Sequence, residues 1–262
     1  MISIKNISKK YGEKHVVDHV DLDIPKGKII AFIGSNGAGK STLISIISRT
    51  LSKNSGEVYI DEKELKEWKS KELSKRLSIL KQSNYLNIRL TIKELVSFGR
   101  FPYSNGKLTK EDEKIVDDAI SYMKLEDLQD RYLDELSGGQ RQMAYIAMII
   151  AQDTEYVFLD EPLNNLDMHH SVHIMKTIRK LVDELGKTVM VVIHDINFVS
   201  CYADYIVAMK DGKIVAEGET KNVLKSDVLK EVYGMDISIH QINGKNICFC
   251  LLYTSPSPRD TE

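Results

Sequence analysis

The chain has no long apolar run. Its longest, residues 143–151, is half of what a bilayer crossing needs, so no membrane span is predicted. The first twenty residues carry scattered charges and no apolar centre, which predicts no secretory leader. Cysteine is scarce: Cys201, Cys248 and Cys250 make no disulfide framework and suit a reducing compartment. Neither sign of charge dominates, since 36 Lys and Arg against 38 Asp and Glu leave a net −2. That balance argues against a general electrostatic grip on nucleic acid or anionic lipid. No internal repeat is visible. If such a protein works at a membrane, a partner must hold it there. Its 262 residues can bury a full α/β core with a small insertion, but hardly two large independent domains.

What is present is dominated by residues 29–42. An apolar run from Ile29 to Ile33 leads into Gly34-Ser35-Asn36-Gly37-Ala38-Gly39-Lys40-Ser41, a full match to G-x-x-x-x-G-K-[S/T]. Thr42 and an amphipathic segment with Leu43, Ile46, Ile47 and Leu51 follow, so strand, glycine loop and helix are predicted in that order. The glycines let backbone N–H groups curl inward around a phosphate chain, and the helix start adds its own free N–H groups. Lys40 supplies a full charge to the β- and γ-phosphates, and the Ser41 hydroxyl is placed to ligate Mg²⁺. The expected ligand is a nucleoside triphosphate with Mg²⁺.

Around this centre the chain reads as a mostly parallel α/β sheet with an antiparallel flank. Residues 2–4 and 20–24 alternate as strands, residues 58–60 form a short strand, and residues 62–76 read as a charged, solvated helix. Capping boxes at Thr91-x-x-Glu94 and Thr109-x-x-Asp112 open two helices, and Ser137 opens a third. Residues 86–154 are therefore expected to be a helical subdomain inserted into a core of residues 1–85 and 155–236. Residues 156–159 and 189–193 are unbroken apolar runs of the kind that form strands buried on both faces. Between them a helix from about 168 to 185 is expected to bury Val172, Met175, Ile178, Leu181, Val182 and Leu185, with Gly186 as its cap. Asp211-Gly212 signals a hairpin. Residues 237–249 read as an extension, and residues 250–262 as a disordered or artefactual tail outside the fold.

Three groups carry chemistry. Asp160 can hold the Mg²⁺ shell at the end of its strand, leaving Glu161 free to orient or deprotonate water. His194 ends the next apolar strand, where ligands collect in open α/β sheets, and can donate to a γ-phosphate. Leu136-Ser137-Gly138-Gly139-Gln140 makes a second anion-binding helix start. One nucleotide needs one cradle, so the second suggests two chains closing on each other's ATP. His169, His170 and His173 are expected to be a solvated helix face, because no carboxylate or cysteine at suitable spacing joins them.

With these motifs in this order, the chain up to about residue 240 resembles the ATP-binding subunit of an ABC transporter. The resemblance implies a P-loop, RecA-like core with an inserted helical subdomain. It matches residues 34–41 to the Walker A loop, 156–160 to Walker B, 136–140 to the signature, and His194 to the switch histidine. Gln82 falls at the Q-loop, as a catalytic and Mg²⁺-sensing residue facing the permease. Asn164 to Asp167 fall at the D-loop, and Tyr11 at the aromatic that stacks on adenine. The strings 99–103, 161–167 and 193–197 resemble importers of ferric siderophores, haem and cobalamin. The implied protein is an ATPase that homodimerises around two Mg-ATP at the cytoplasmic face of the membrane, with permease subunits and, indirectly, a substrate-binding protein as partners. Rival expectations are a soluble ABC ATPase of the iron–sulfur cluster assembly type and a nucleotide-gated module without turnover; Glu161 speaks against the latter.

Overall fold

The computed structural model describes residues 1–81, 88–242 and 244–250. Two long strands, β1 (Ile2–Tyr11) and β2 (Lys14–Ile24), precede β3 (Ile29–Ile33), α1 (Lys40–Ile47), β4 (Ser55–Ile60) and β5 (Lys63–Glu64). A single turn, α2 (Ser70–Leu73), leads to β6 (Leu77–Leu80). Helices α3 (Ile92–Ser97), α4 (Phe101–Ser104), α5 (Lys110–Tyr122) and α6 (Gly138–Gln152) follow one another. The chain then alternates through β7 (Tyr156–Asp160), α7 (Met168–Asp183), β8 (Thr188–Val192), α8 (Ile196–Tyr202), β9 (Tyr205–Lys210) and β10 (Lys213–Glu219). Last come α9 (Thr220–Val223), α10 (Ser226–Tyr233), β11 (Ile237–Ile242) and β12 (Lys245–Cys250).

The central sheet has the order β10-β9-β3-β8-β7-β6, parallel throughout except for the β9–β10 hairpin. Asp211 and Gly212 turn that hairpin with φ of 48° and 81°, as the Asp-Gly pair predicts. A second, antiparallel sheet, β2-β1-β4-β5, forms the expected flank. Because strand side chains alternate, Ile29, Ala31 and Ile33 enter one apolar cluster, and Ile30 and Phe32 the opposite one. The first cluster also holds Ile92, Val116, Ile146 and Ala147, so helices α3, α5 and α6 share their core with the sheet.

Both threonine capping boxes close as predicted, Thr91 with Glu94 and Thr109 with Asp112. The string 99–103 is explained largely by packing. A Cβ on Gly99 would sit 2.3 Å from the Met148 carbonyl oxygen, and buried Arg100 donates to Asp112 at 2.8 Å and to the Ala151 carbonyl at 3.0 Å.

Two sequence expectations are corrected. Residues 62–76 do not form one helix. Asp61 and Glu62 take φ of 49° and 67° and fold β5 back onto β4, which uses up the start of the stretch in a hairpin and leaves only a 3-10 turn at Leu65–Glu67 and the short α2 helical. Leu185 is exposed, because α7 ends at Asp183 and Gly186, at φ 62°, turns its N–H back to the Val182 carbonyl. Val172 is only half-buried. Of the expected tail, Cys250 is the last residue of β12, and residues 251–262 lie outside the described residues, as does Gln82.

Candidate active site

The register sets the site. Val192 of β8 pairs with Phe32 of β3 on one side and Asp160 of β7 on the other, so three carboxyl ends finish level. Gly34, His194 and Glu161 lie one or two residues past that line, at the edge where open α/β sheets collect ligands.

The glycine loop is held from behind. A Cβ on Gly34, at φ 145°, would sit 2.2 Å from the Met209 carbonyl oxygen, and one on Gly39, at φ 100°, 2.3 Å from that of Val16. Both are forced by topology as well as by φ. The Lys40 ammonium is buried and donates to the carbonyls of Gly34 and Ser35 at 2.8 and 2.9 Å. Burial lowers its pKa, and the charges of Glu161 and Asp160 oppose that. A cavity of about 130 Å³ opens against the loop, lined by Val16, Asn36, Gly37, Lys40, Ser41 and Glu161 among others.

Ser41 Oγ donates to Asp160 Oδ1 at 2.8 Å. Burial raises the Asp160 pKa, the Ser41 bond lowers it, and the neighbouring Glu161 charge raises it again. Glu161 has φ 52°, an uncommon value that turns the chain sharply after the strand. Its Oε1 lies 2.7 Å from His194 Nε2, and Asn164 Nδ2 donates to its Oε2 at 3.4 Å. The two candidate catalytic groups are therefore in direct contact.

Ser137 forms a capping box with Gln140: Ser137 N–H donates to Gln140 Oε1 at 3.0 Å, and Gln140 N–H to Ser137 Oγ at 3.2 Å. Ser137 and Gly138 are exposed at the start of α6. No residue of 136–140 lines the phosphate-loop cavity, so the two cradles of one chain do not meet there. Tyr11 is also absent from that lining; it is exposed at the end of β1, with the Lys9 ammonium 5.3 Å from its ring centre.

The histidine face is corrected in one respect. Asp167, His169 and His170 bring ligand-type atoms within 4.8 Å of one another, so a carboxylate does join two of them. That carboxylate is engaged as the α7 cap: Asp167 accepts from the His170 N–H at 2.8 Å and contacts His170 Nδ1 at 2.8 and 2.9 Å. The ring thus held covers Gly139, where a Cβ would lie 2.4 Å from His170 Cδ2. Gly139→Ala is therefore expected to cost about 1–3 kcal/mol, lowering Tm by about 2–4 °C per kcal/mol. Adding His170→Ala should restore most of the loss in the same thermal melt. A Gly139→Ala melt equal to the parent's would mean that the ring yields freely.

Sequence reasoning missed Val16 and the His170–Gly139 contact. Both are approaches between distant segments, and only the glycine at each gave a local hint.

Strand, glycine loop and helix, with a buried lysine and a hydroxyl on a strand-end carboxylate, define a P-loop nucleoside triphosphatase. Residues 17–164 match the ABC transporter family. The petrobactin import ATP-binding protein YclP of Bacillus subtilis (strain 168) is 61% identical over 247 residues, covering 94% of this chain and 98% of its own length. The petrobactin import ATP-binding protein FatE of Bacillus anthracis is 49% identical, with 91% and 96% covered. Among solved structures, the ATP-binding cassette MJ0796, a dimer in a post-hydrolysis state bound to ADP and Pi, superposes with a TM-score of 0.74 at 32% identity, covering 84% of this chain and 98% of its own. The chain belongs to the ABC transporter family and is an ABC-type, ATP-hydrolysing subunit.

Proposed function

We propose that the chain energises import of a ferric siderophore, with petrobactin the favoured compound, as a homodimer bound to a membrane permease. The observation that carries this is the 61% identity to a petrobactin import subunit across nearly the whole of both chains. The relatives' names favour it over iron–sulfur cluster assembly, haem or cobalamin.

In this reading Tyr11 stacks on adenine, and Gly34 to Thr42 cradle the phosphates. The donor set of Ser41 Oγ and Asp160 Oδ1, hard oxygens 2.8 Å apart at the loop, fits Mg²⁺, with Gln82 as a further ligand. Bound there, the metal would neutralise charge on the β- and γ-phosphates. Glu161 takes the proton of the attacking water, and His194, held against it, donates to the γ-phosphate. Ser137 to Gln140 of the second copy close over the same ATP. The separation of the two cradles within one chain supports that arrangement. Residues 86–154 act as the helical subdomain. Exposed Phe98 and Phe101 offer apolar surface a permease would cover, and line a cavity of about 480 Å³ together with Lys71, Pro102 and Asn105 among others. Among the described residues no helix is long and apolar enough to cross a membrane, so the permease would hold the subunit at the cytoplasmic face. A substrate-binding protein would deliver the siderophore.

The test is complementation of a Bacillus subtilis strain lacking YclP, grown with ferric petrobactin as the iron source. Restored growth is expected with the parent chain and not with Glu161→Gln. No restoration by a well-expressed parent chain would overturn the assignment.

A further inference from the structure

α8 starts two residues after His194, and Asp195 caps it by accepting from the N–H groups of Asn197 at 2.8 Å and Phe198 at 3.3 Å. Any shift of this helix moves His194. Seven residues are too few for a helix to persist by propensity, and within α8 only Val199 is fully buried. Beside its first turn lies a cavity of about 290 Å³, lined by Leu163, Leu166, Ser171, His194 and Phe198 among others. Val199 is buried in the main apolar cluster, but Ile196, Phe198 and Tyr202 pack against it only partly buried, so inner packing is a partial restraint on how closely α8 approaches Glu161.

A second support is the hairpin of β11 and β12. The Asn197 side chain pairs with one peptide of β12: Oδ1 accepts from the Cys248 N–H at 2.8 Å, and Nδ2 donates to the Cys248 carbonyl at 3.3 Å. A carboxamide can meet a peptide group in this two-bonded way, whereas a carboxylate could only accept. Ser200, one turn on, donates to the Asn246 carbonyl. The hairpin is itself anchored, with Ile237 and Cys248 buried in the main apolar cluster.

We propose that the β11–β12 hairpin is a positioning element for ATP hydrolysis. Through Asn197 and Ser200 it holds α8, and with it His194, within hydrogen-bond reach of Glu161. Asn197 and Ser200 are thus positioning residues that touch neither nucleotide nor water. The inference rests on the reading of His194 as a group that acts on ATP. It also accounts for the asparagine of the string 193–197, to which nothing in the active site itself assigns a task.

The test uses the full chain, with kcat and KM for ATP measured beside Tm. Asn197→Ala is expected to lower kcat about tenfold with KM within about twofold, since a displacement of 1 Å can cost about a hundredfold. Asn197→Asp, which keeps only the acceptor, should fall between it and the parent. In a His194→Ala background Asn197→Ala should cause no further loss, because both act through one group. Ser200→Ala, a milder change, should lower kcat in the same direction and carries the test if Asn197→Ala does not fold. Parental kcat in the folded variants, or an equal fractional loss with and without His194, would overturn the proposal. Parental turnover in His194→Ala itself would instead overturn the reading on which it rests.

Discussion

Glu161→Gln is expected to lower ATP turnover by about 100- to 10,000-fold, the range that general base catalysis contributes. Glutamine keeps the shape and an oxygen acceptor beside His194 Nε2, where the carboxylate now lies at 2.7 Å, but cannot take a proton from water. ATP affinity should stay close to the parent's, because Lys40 and the glycine loop are untouched. ATP would then persist uncleaved between two chains, and a dimer should accumulate in size-exclusion chromatography with Mg-ATP. Parental hydrolysis in this variant would remove Glu161 from the mechanism. Blocked hydrolysis with a strictly monomeric protein would instead remove the closed dimer.

Lys40→Ala should abolish measurable ATP binding. Lys40 is 4% exposed and its ammonium donates to two loop carbonyls, so it is oriented into the loop rather than out into solvent. Removing one partner of a buried charge pair costs about 2–5 kcal/mol, which is at least about a 30-fold loss of affinity. Nucleotide titration reads this directly, and an affinity within about threefold of the parent's would overturn the phosphate-loop assignment. Together the two variants separate the steps, since one should lose binding and the other turnover with binding kept.

Much of the site is legible in the amino-acid sequence. Residues 34–41, Asp160, Glu161 and His194 are readable because each stands next to a strong local signal: a glycine loop, or the end of an apolar strand. Capping boxes at Thr91, Thr109 and Ser137 are readable because three residues suffice to close them. The stretch 62–76 misleads because its charge pattern suits a helix, while the turn at Asp61 and Glu62 and pairing with β4 outweigh that preference. His170 misleads because helix spacing says which side chains share a face, but not that the backbone of Gly139 passes close enough to be covered.

The order of motifs along the chain points to the chemistry: a phosphate loop ending in the Ser41 hydroxyl, a second glycine-rich helix start at 137–140, a candidate base at Glu161 and a candidate histidine at 194. Those signals need only backbone dihedrals and hydrogen bonds within a few residues. Where the motifs stand relative to one another is decided by the fold alone. The β3-β8-β7 register brings Gly34, His194 and Glu161 to one edge, while the packing of the rest of the chain keeps Ser137 to Gln140 out of the phosphate cavity and seats the β11–β12 hairpin against α8. Such approaches depend on which surfaces are buried against each other across tens to more than a hundred residues, and no local pattern encodes that distance.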